Sequence, residues 1–489
     1  MTITFTDIFC GAGGSSTGLV AAGFELKLAA NHSKIAIETH AANHRNADHI
    51  CADVNNYDMR RLPRTRVLWA SPICTEISPA GGRKRSRRLL PDEQMLLDHG
   101  PVESAAWERT RATAYDVIRA TEVHRYDAVL CENVVEFVVD WELFDWWFSG
   151  MERLGYNGQI LSVSAAHIGG DGNVAAPQWR DRIYIVFTRK GIQKPDLAPR
   201  PLAWCQVCQT DVHAVQSWRD TPLTRRFGKV GKYREQYDYR CERTQCRHAI
   251  VEPYINPAAT IIDWDNLGER IGDRKKPLAA STMRRIAAGL AKFPDRRSVV
   301  TVNHDGHDGR AFPADQAPLP ARSTKIGEGL LVPPGGGWNT TATPTSAPMR
   351  TRTANPKGFE ALVTTGEPFI VEYRNHADAS AVTEPLATVT SGGNHHALVV
   401  PYRNAVTKTT DEPFHTMSTV DSAALVGPAP AIEDCWLRMV QPREQLYAQR
   451  FPRDYIVHGT KGEQTMQAGN AVACNVAQWV GERVMAVLS

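Results

Sequence analysis

Residues 4–31 read TFTDIFCGAGGSSTGLVAAGFELKLAAN. A β-rich run, Thr2–Phe9, meets a glycine-rich turn, the helical stretch Ser16–Ala22 follows, and Glu25–Ala30 is a second apolar run. Glycines between a strand and a helix let a backbone approach a ligand closely, and the helix start offers free N–H groups. The dinucleotide fingerprint needs a third glycine where Ser16 stands and an acid near the end of the second strand, where the chain reads Leu28-Ala29-Ala30-Asn31. NAD is therefore disfavoured, and an adenosyl ligand without a pyrophosphate fits better.

The same alternation continues outward. Arg66–Ala70, Asp127–Cys131, Gln159–Ala165 and Ile183–Thr188 are short apolar runs, with helical patterns at Ala112–Glu122 and Trp141–Arg153 between them. Strands alternating with helices imply an α/β fold with a mostly parallel sheet covered on both faces, and such sheets place ligands at the carboxyl ends of their strands. From Lys194 to about Pro430 the chain turns rich in Pro, Thr and Gly, with one helical piece at Thr282–Ala291. Inside it VEYRNHADASAVTEPLATVT (371–390) echoes VPYRNAVTKTTDEPFHTMST (400–419), and looser copies lie at 317–324 and 347–353. These read as stacked turn-plus-strand units, with Arg350, Arg352, Arg374, Arg403, His395 and His396 available to face DNA. Helical texture returns at Glu433–Ala448 and Val472–Leu488. The domains expected are 1–192, an inserted 193–430, and a return segment 431–489 that completes the first.

A chain of 489 residues is too long for one ordinary core. No run is apolar enough to span a bilayer, and the N-terminus lacks the basic and apolar regions of a secretory signal. Ten scattered cysteines suit a reducing cytoplasm, and a net charge of +3 neither demands nor excludes a polyanionic partner.

Three strand ends carry chemistry. Cys74 follows the run Arg66–Ala70 inside a Pro/Ser/Gly loop, where a thiol has a use if it becomes a thiolate. Glu132 directly follows the strand 126–131, and a carboxylate there is costly unless used or paired. Arg180 and Arg182 share one face at the start of a third strand, given its period of two. Thiol, carboxylate and two guanidiniums could converge on one planar polar ring.

With these residues in place the chain resembles a DNA (cytosine-5)-methyltransferase, in the family's order at both ends. FTDIFCGAGGSSTGLVAAGFE (5–25) resembles the first S-adenosylmethionine motif, SPICTEIS (71–78) the catalytic Pro-Cys loop, CENV (131–134) the Glu-Asn-Val motif, and QWRDR (178–182) the Gln-x-Arg-x-Arg motif. LRMVQPREQLYAQRFP (437–452) resembles the segment before the last motif, and GNAV (469–472) that motif. The resemblance implies an S-adenosylmethionine-dependent methyltransferase (Rossmann-like) domain with an inserted, β-rich target-recognition domain. It implies that Cys74 attacks C6 of a cytosine flipped from duplex DNA, Glu132 holds N3 and the 4-amino group, and Arg180 and Arg182 hold O2 and nearby groups. By the same resemblance Asp7, Phe9, Gly11, Gly13, Gly14, Asn31, His32, Asp53, Asn470 and Val472 would bind the cofactor. The chain departs from the pattern at Ile73, where a proline is usual, at Asn31, where an acid usually meets the ribose, and at His32. A non-catalytic DNA-binding relative and an RNA cytosine-5 methyltransferase are the competing readings. The enzyme is expected to be a cytoplasmic monomer, in a prokaryotic cell or a phage-infected host.

Cys205-x-x-Cys208 and Cys241-x-x-x-x-Cys246 form two close pairs, which read as a structural zinc site more readily than as four unrelated thiols. The intervening Arg219, Arg225, Arg226, Lys229, Lys232 and Arg234, like the run Arg83–Arg88, are candidates for phosphate contact.

Overall fold

The computed structural model describes residues 2–72, 101–263, 265–266, 268–280, 282–284, 286–287 and 432–489, together with the strands 299–301, 328–332, 369–372, 386–387 and 396–399. The first part supplies β1 (Thr4–Ile8), β2 (Glu25–Asn31), β3 (Asp48–Cys51), β4 (Val67–Ala70), β5 (Ala128–Asn133), β6 (Tyr156–Ser164), the two-residue β7 (Gln178–Trp179) and β8 (Asp181–Arg189). Seven of them form one mixed sheet in the order β3-β2-β1-β4-β5-β8-β6, the core of a Rossmann-like fold.

β1 to β5 pair in parallel, as the alternation of strands and helices implied. β8 runs the other way, antiparallel to β5 on one side and to β6 on the other. The reason is the connection. No crossover helix separates β6 from β8, so the chain turns straight back, and a direct return gives antiparallel neighbours.

The period of two sorts side chains to the two faces. Val67 and Trp69 of β4 join a core with Leu19, Val476, Val480 and Val484, from α1 (Gly14–Ala21) and the last helix, Cys474–Leu488. Leu68 and Ala70 join the other core, with Ala114, Val117 and Ala120 of α2 (Pro101–His124) and Phe144, Trp147 and Met151 of α3 (Phe144–Arg153). The C-terminal helix thus packs on α1, which brings the end of the chain against its beginning.

Beyond residue 200 the described structure is strand-rich. β9 (Leu202–Cys205) pairs with β10 (Thr210–His213), and β11 (Val215–Trp218), β12 (Tyr237–Arg240) and β13 (Ile250–Val251) form a three-stranded sheet. A six-stranded sheet follows in the order 269–270, 436–439, 328–332, 299–301, 396–399, 369–372. Strand 369–372 runs into the repeat at 371–390, which also holds the two-residue strand Leu386–Ala387 paired with β7, while 328–332 and 396–399 lie between the repeats and the remainder of the repeats lies outside the described residues.

The helix expected over Glu433–Ala448 is not one. Trp436–Met439 is a strand paired with 328–332, Pro442–Tyr447 is a short α-helix, and Ile432–Asp434 forms a single 3-10 turn. Pro442 holds the residue before it extended and starts a helix at its own position, which divides the segment.

Candidate active site

β1 ends in a turn that puts Phe9 at φ 65°, an uncommon backbone for a side-chain-bearing residue, then Gly11 at φ 53° and Gly13 at φ 93°. Gly13 is the N-cap of α1, with no side chain capping that helix start. The cradle is tight because of the last motif. A Cβ on Gly14 would lie 1.9 Å from the carbonyl oxygen of Val472, and one on Gly11 would lie 3.9 Å from that of Asn470. Asp7 is fully buried beneath this turn, and its Oδ2 accepts hydrogen bonds from the hydroxyls of Ser15 and Ser16, each at 2.6 Å. Burial pushes the Asp7 carboxyl up to about 7 against the pull of the two serines. Asp7 shapes the loop from below through Oδ2, while its Oδ1 has no hydrogen-bond partner among the described residues.

Asn31, His32 and Asp53 stand at the carboxyl ends of the neighbouring β2 and β3. Asn31 is buried, with Oδ1 accepting from the Ser33 N–H at 2.9 Å. His32 is exposed. Asp53 is exposed and caps the 3-10 turn Val54–Asn56 by accepting from the Asn55 N–H at 3.1 Å. The strand order brings the ends of β1, β2 and β3 side by side. An adenosyl group fits this edge: a glycine cradle and open N–H groups at β1, amide and carboxylate acceptors at β2 and β3.

On the other side of β1 stands a second cluster. Glu132 is the penultimate residue of β5, 7% exposed, and Arg182 the second residue of β8. Because β8 is antiparallel, its first residues lie beside the last residues of β5, with Glu132 opposite Tyr184. Arg182 Nε comes within 3.2 Å of Glu132 Oε1, yet that oxygen has no aligned hydrogen bond. Burial raises the Glu132 pKa, while Arg182 and Arg180 draw it back. A buried carboxyl with an unsatisfied oxygen, inclined to keep its proton and backed by a guanidinium, is built to donate and accept at a polar ligand.

Arg180 parts company with Arg182. It is 2% exposed, and its Nη2 donates to the carbonyls of Gly469 at 3.3 Å and Ala471 at 2.5 Å. It ties the GNAV segment to this strand, whereas the sequence placed both arginines on the same ligand. Cys74 lies outside the described residues, as do Ile73, the Arg83–Arg88 run, and Arg350, Arg352, Arg374, Arg403 and His395. The residue that sequence reasoning missed is Asn133. Its Nδ2 donates to the carbonyl of Pro72 at 3.2 Å and its Oδ1 accepts from the Val134 N–H at 2.8 Å. Its position within CENV was the available signal.

The basic residues proposed for phosphate contact are largely committed elsewhere. Arg219 pairs with Asp238, Arg225 with Asp220, Arg234 with Glu252, and Lys232 with the buried Glu136 at 2.9 Å. The four cysteines do come together: the Sγ atoms of Cys205, Cys208, Cys241 and Cys246 all lie within 4.8 Å of one another. Among the described residues no helix is long and apolar enough to cross a membrane.

A family profile described as C-5 cytosine-specific DNA methylase matches residues 3–308 and 338–486. No curated protein matches the chain. Similar solved structures include a putative DNA modification methyltransferase encoded within an E. coli prophage, at 13% identity and TM-score 0.42, covering 100% of this chain and 99% of that one. The Entamoeba histolytica methyltransferase EhMeth is similar at 10% identity and TM-score 0.47, with coverage of 100% and 99%. Dnmt2 methyltransferase of S. pombe is similar at 11% identity and TM-score 0.44, with 100% of both chains covered.

Proposed function

Because the chain belongs to the C-5 cytosine-specific DNA methylase family, we propose that it transfers a methyl group from S-adenosylmethionine to C5 of a cytosine turned out of duplex DNA. The observation that carries this reading is the pair Glu132 and Arg182, a buried carboxyl with an unsatisfied oxygen 3.2 Å from a guanidinium nitrogen.

C5 of cytosine is too poor a nucleophile to take a methyl group unaided. Addition of the Cys74 thiolate to C6 breaks the C5–C6 π bond and leaves the electron pair delocalised over C5 and the N3–C4 amidine, so one hard step becomes two easier ones. Glu132, keeping its proton more readily than a free carboxyl, donates to N3 as that charge develops and accepts from the 4-amino group. Arg182 offers rigid donors for O2. C5 then takes the methyl group, loses its proton to a base, and the electrons of the C5–H bond re-form the double bond as the thiolate leaves. Cys74 follows Pro72 by two residues, so at about 3.8 Å per Cα–Cα step it is tethered to a carbonyl that Asn133 anchors beside Glu132. A base inside a duplex cannot reach such a site, which supports extrusion of the target.

S-adenosylmethionine, when bound, supplies an electrophilic methyl on a sulfonium. Gly11, Gly13 and Gly14 would admit its amino-acid end against the start of α1, Asn31 would meet the ribose, His32 would cover the adenine, and Asp53 would take the adenine amino group. Phe9, held at positive φ in the turn after β1, would stand beside the cofactor.

The test is duplex DNA carrying 5-fluorocytosine, which blocks the last proton loss. A stable protein–DNA adduct that forms with the wild type and is absent in Cys74→Ala is the expected result. Wild-type methyl incorporation by Cys74→Ala would overturn the reading, and incorporation into tRNA in preference to duplex DNA would overturn its substrate.

A further inference from the structure

Four cysteines, far apart in sequence, meet where two small sheets adjoin. Cys205 ends β9 and Cys208 lies in the turn to β10, while Cys241 and Cys246 lie in the connection between β12 and β13. All four Sγ atoms lie within 4.8 Å of one another, with Cys208 and Cys241 at 4.0 Å. Sulfurs at about 2.3 Å from a central tetrahedral zinc stand about 3.8 Å apart, so the cluster needs little adjustment to close on one ion. The two loops share a further pattern. The first cysteine of each pair accepts a backbone N–H, Cys205 from Cys208 at 3.5 Å and Cys241 from Arg243 at 3.4 Å. The residues after the second cysteine turn sharply at positive φ, Gln209 at 51°, Arg247 at 52° and His248 at 54°. Amides aimed at sulfur and tight turns after each pair are what a loop needs to present thiolates inward.

The core beneath is small: Ala203, Val212, Ala214, Tyr233, Tyr237, Tyr239 and Val251 with three of the cysteines themselves. A bridge between Ala203 and Pro253 links the two sheets. A core of this size gains most from a staple. Its opposite side grips the catalytic strand. Trp179 packs on it, the Tyr233 N–H donates to Asp181 Oδ1 at 3.1 Å, and Gln216 Nε2 donates to the Ser162 carbonyl at 2.8 Å.

We propose that Cys205, Cys208, Cys241 and Cys246 bind one zinc ion as four thiolates, and that this ion braces the segment 178–182, from β7 into the start of β8, that carries Arg180 and Arg182. Binding releases four protons, one per thiol, and consumes no oxidant or reductant. All-sulfur tetrahedral ligation with no open position makes the ion structural and keeps it out of methyl transfer.

The test uses the purified full-length chain and reads no methylation, so it stands or falls apart from the proposed activity. Elemental analysis should find one zinc per chain. Cobalt(II) added to stripped, reduced protein should give the intense thiolate-to-metal absorption of a four-sulfur site. That band should weaken in Cys208→Ser, the least buried ligand, and persist in Cys51→Ser, an exposed thiol outside the cluster. Stripping should raise amide exchange at Trp179, Asp181 and Tyr233 at least about tenfold, reversed by zinc. Folded protein without metal, or with the cysteines oxidised in pairs, or with iron in place of zinc, would overturn the site. Stoichiometric zinc with unchanged exchange at those amides would overturn the brace.

Discussion

The side-chain amide of Asn133 donates to the main-chain carbonyl of Pro72 across 3.2 Å, both residues buried. One hydrogen bond thus joins the end of β5, which carries Glu132, to the last described residue before the segment that carries Cys74.

Asn133→Ala should misplace that segment without unfolding the protein. Leaving the Pro72 carbonyl buried and unpaired costs about 1–3 kcal/mol, and a catalytic group moved by about 1 Å loses on the order of 100-fold in rate. Single-turnover methylation should therefore fall much further than the melting temperature, with cofactor affinity unchanged. A rate equal to wild type would show that the tie is dispensable.

Glu132→Gln keeps the shape of the side chain and removes the proton that burial helps it hold. The methylation rate should drop by about 100- to 10,000-fold, the usual range for a lost general acid. In the wild type the rate should decline as pH rises through the raised pKa of this carboxyl, and that limb should be missing from the variant. A Gln variant within a few-fold of wild type at every pH would remove Glu132 from the chemistry.

The two arginines of QWRDR should separate kinetically. Arg180→Lys loses the planar donors that reach the Gly469 and Ala471 carbonyls and loosens the GNAV segment, so it should raise KM for S-adenosylmethionine. Arg182→Lys faces Glu132 and should lower kcat with little change in that KM. Identical profiles for the two variants would contradict the division of labour.

Asp7 makes a stability prediction with a definite sign. Its folded pKa stands at about 7 against 3.8 for the free side chain, so the folded state holds a proton that the unfolded chain has released. The contribution is complete below about pH 4 and is lost as pH rises through about 7. The difference corresponds to roughly 4 kcal/mol at most. Asp7→Asn keeps an acceptor for Ser15 and Ser16, so denaturation should find the variant gaining on the wild type steadily between those limits. A gap independent of pH would refute the assignment.

Gly14→Ala should destabilise the joint between the chain's two ends. Its Cβ would stand 1.9 Å from the Val472 carbonyl oxygen, whereas one on Gly170 meets nothing within 4 Å. Overpacking of this kind costs about 1–3 kcal/mol or more, and Gly170→Ala should be near neutral. Equal denaturation midpoints for the two variants would mean that the last motif does not seat where the structure puts it.

What could be read without coordinates was whatever is encoded locally. The strand-glycine-helix start at 4–31, the α/β alternation, the cysteine pairs and the order of the short motifs all follow from neighbours within a few residues. Pairing decided the rest. Trp436–Met439 looked helical by composition and became a strand because residues 328–332 lie beside it. Arg180 and Arg182 shared a face by periodicity, yet one turned to backbone carbonyls and the other to Glu132, because β8 runs against β5. Of the basic residues of 219–234, Arg219, Arg225, Lys232 and Arg234 stand opposite Asp238, Asp220, Glu136 and Glu252, pairings that their spacing in the sequence did not disclose. The chemistry of a side chain travels with its letter. Its partner is set by strand direction and register over long sequence separations, and those are properties of the folded chain alone.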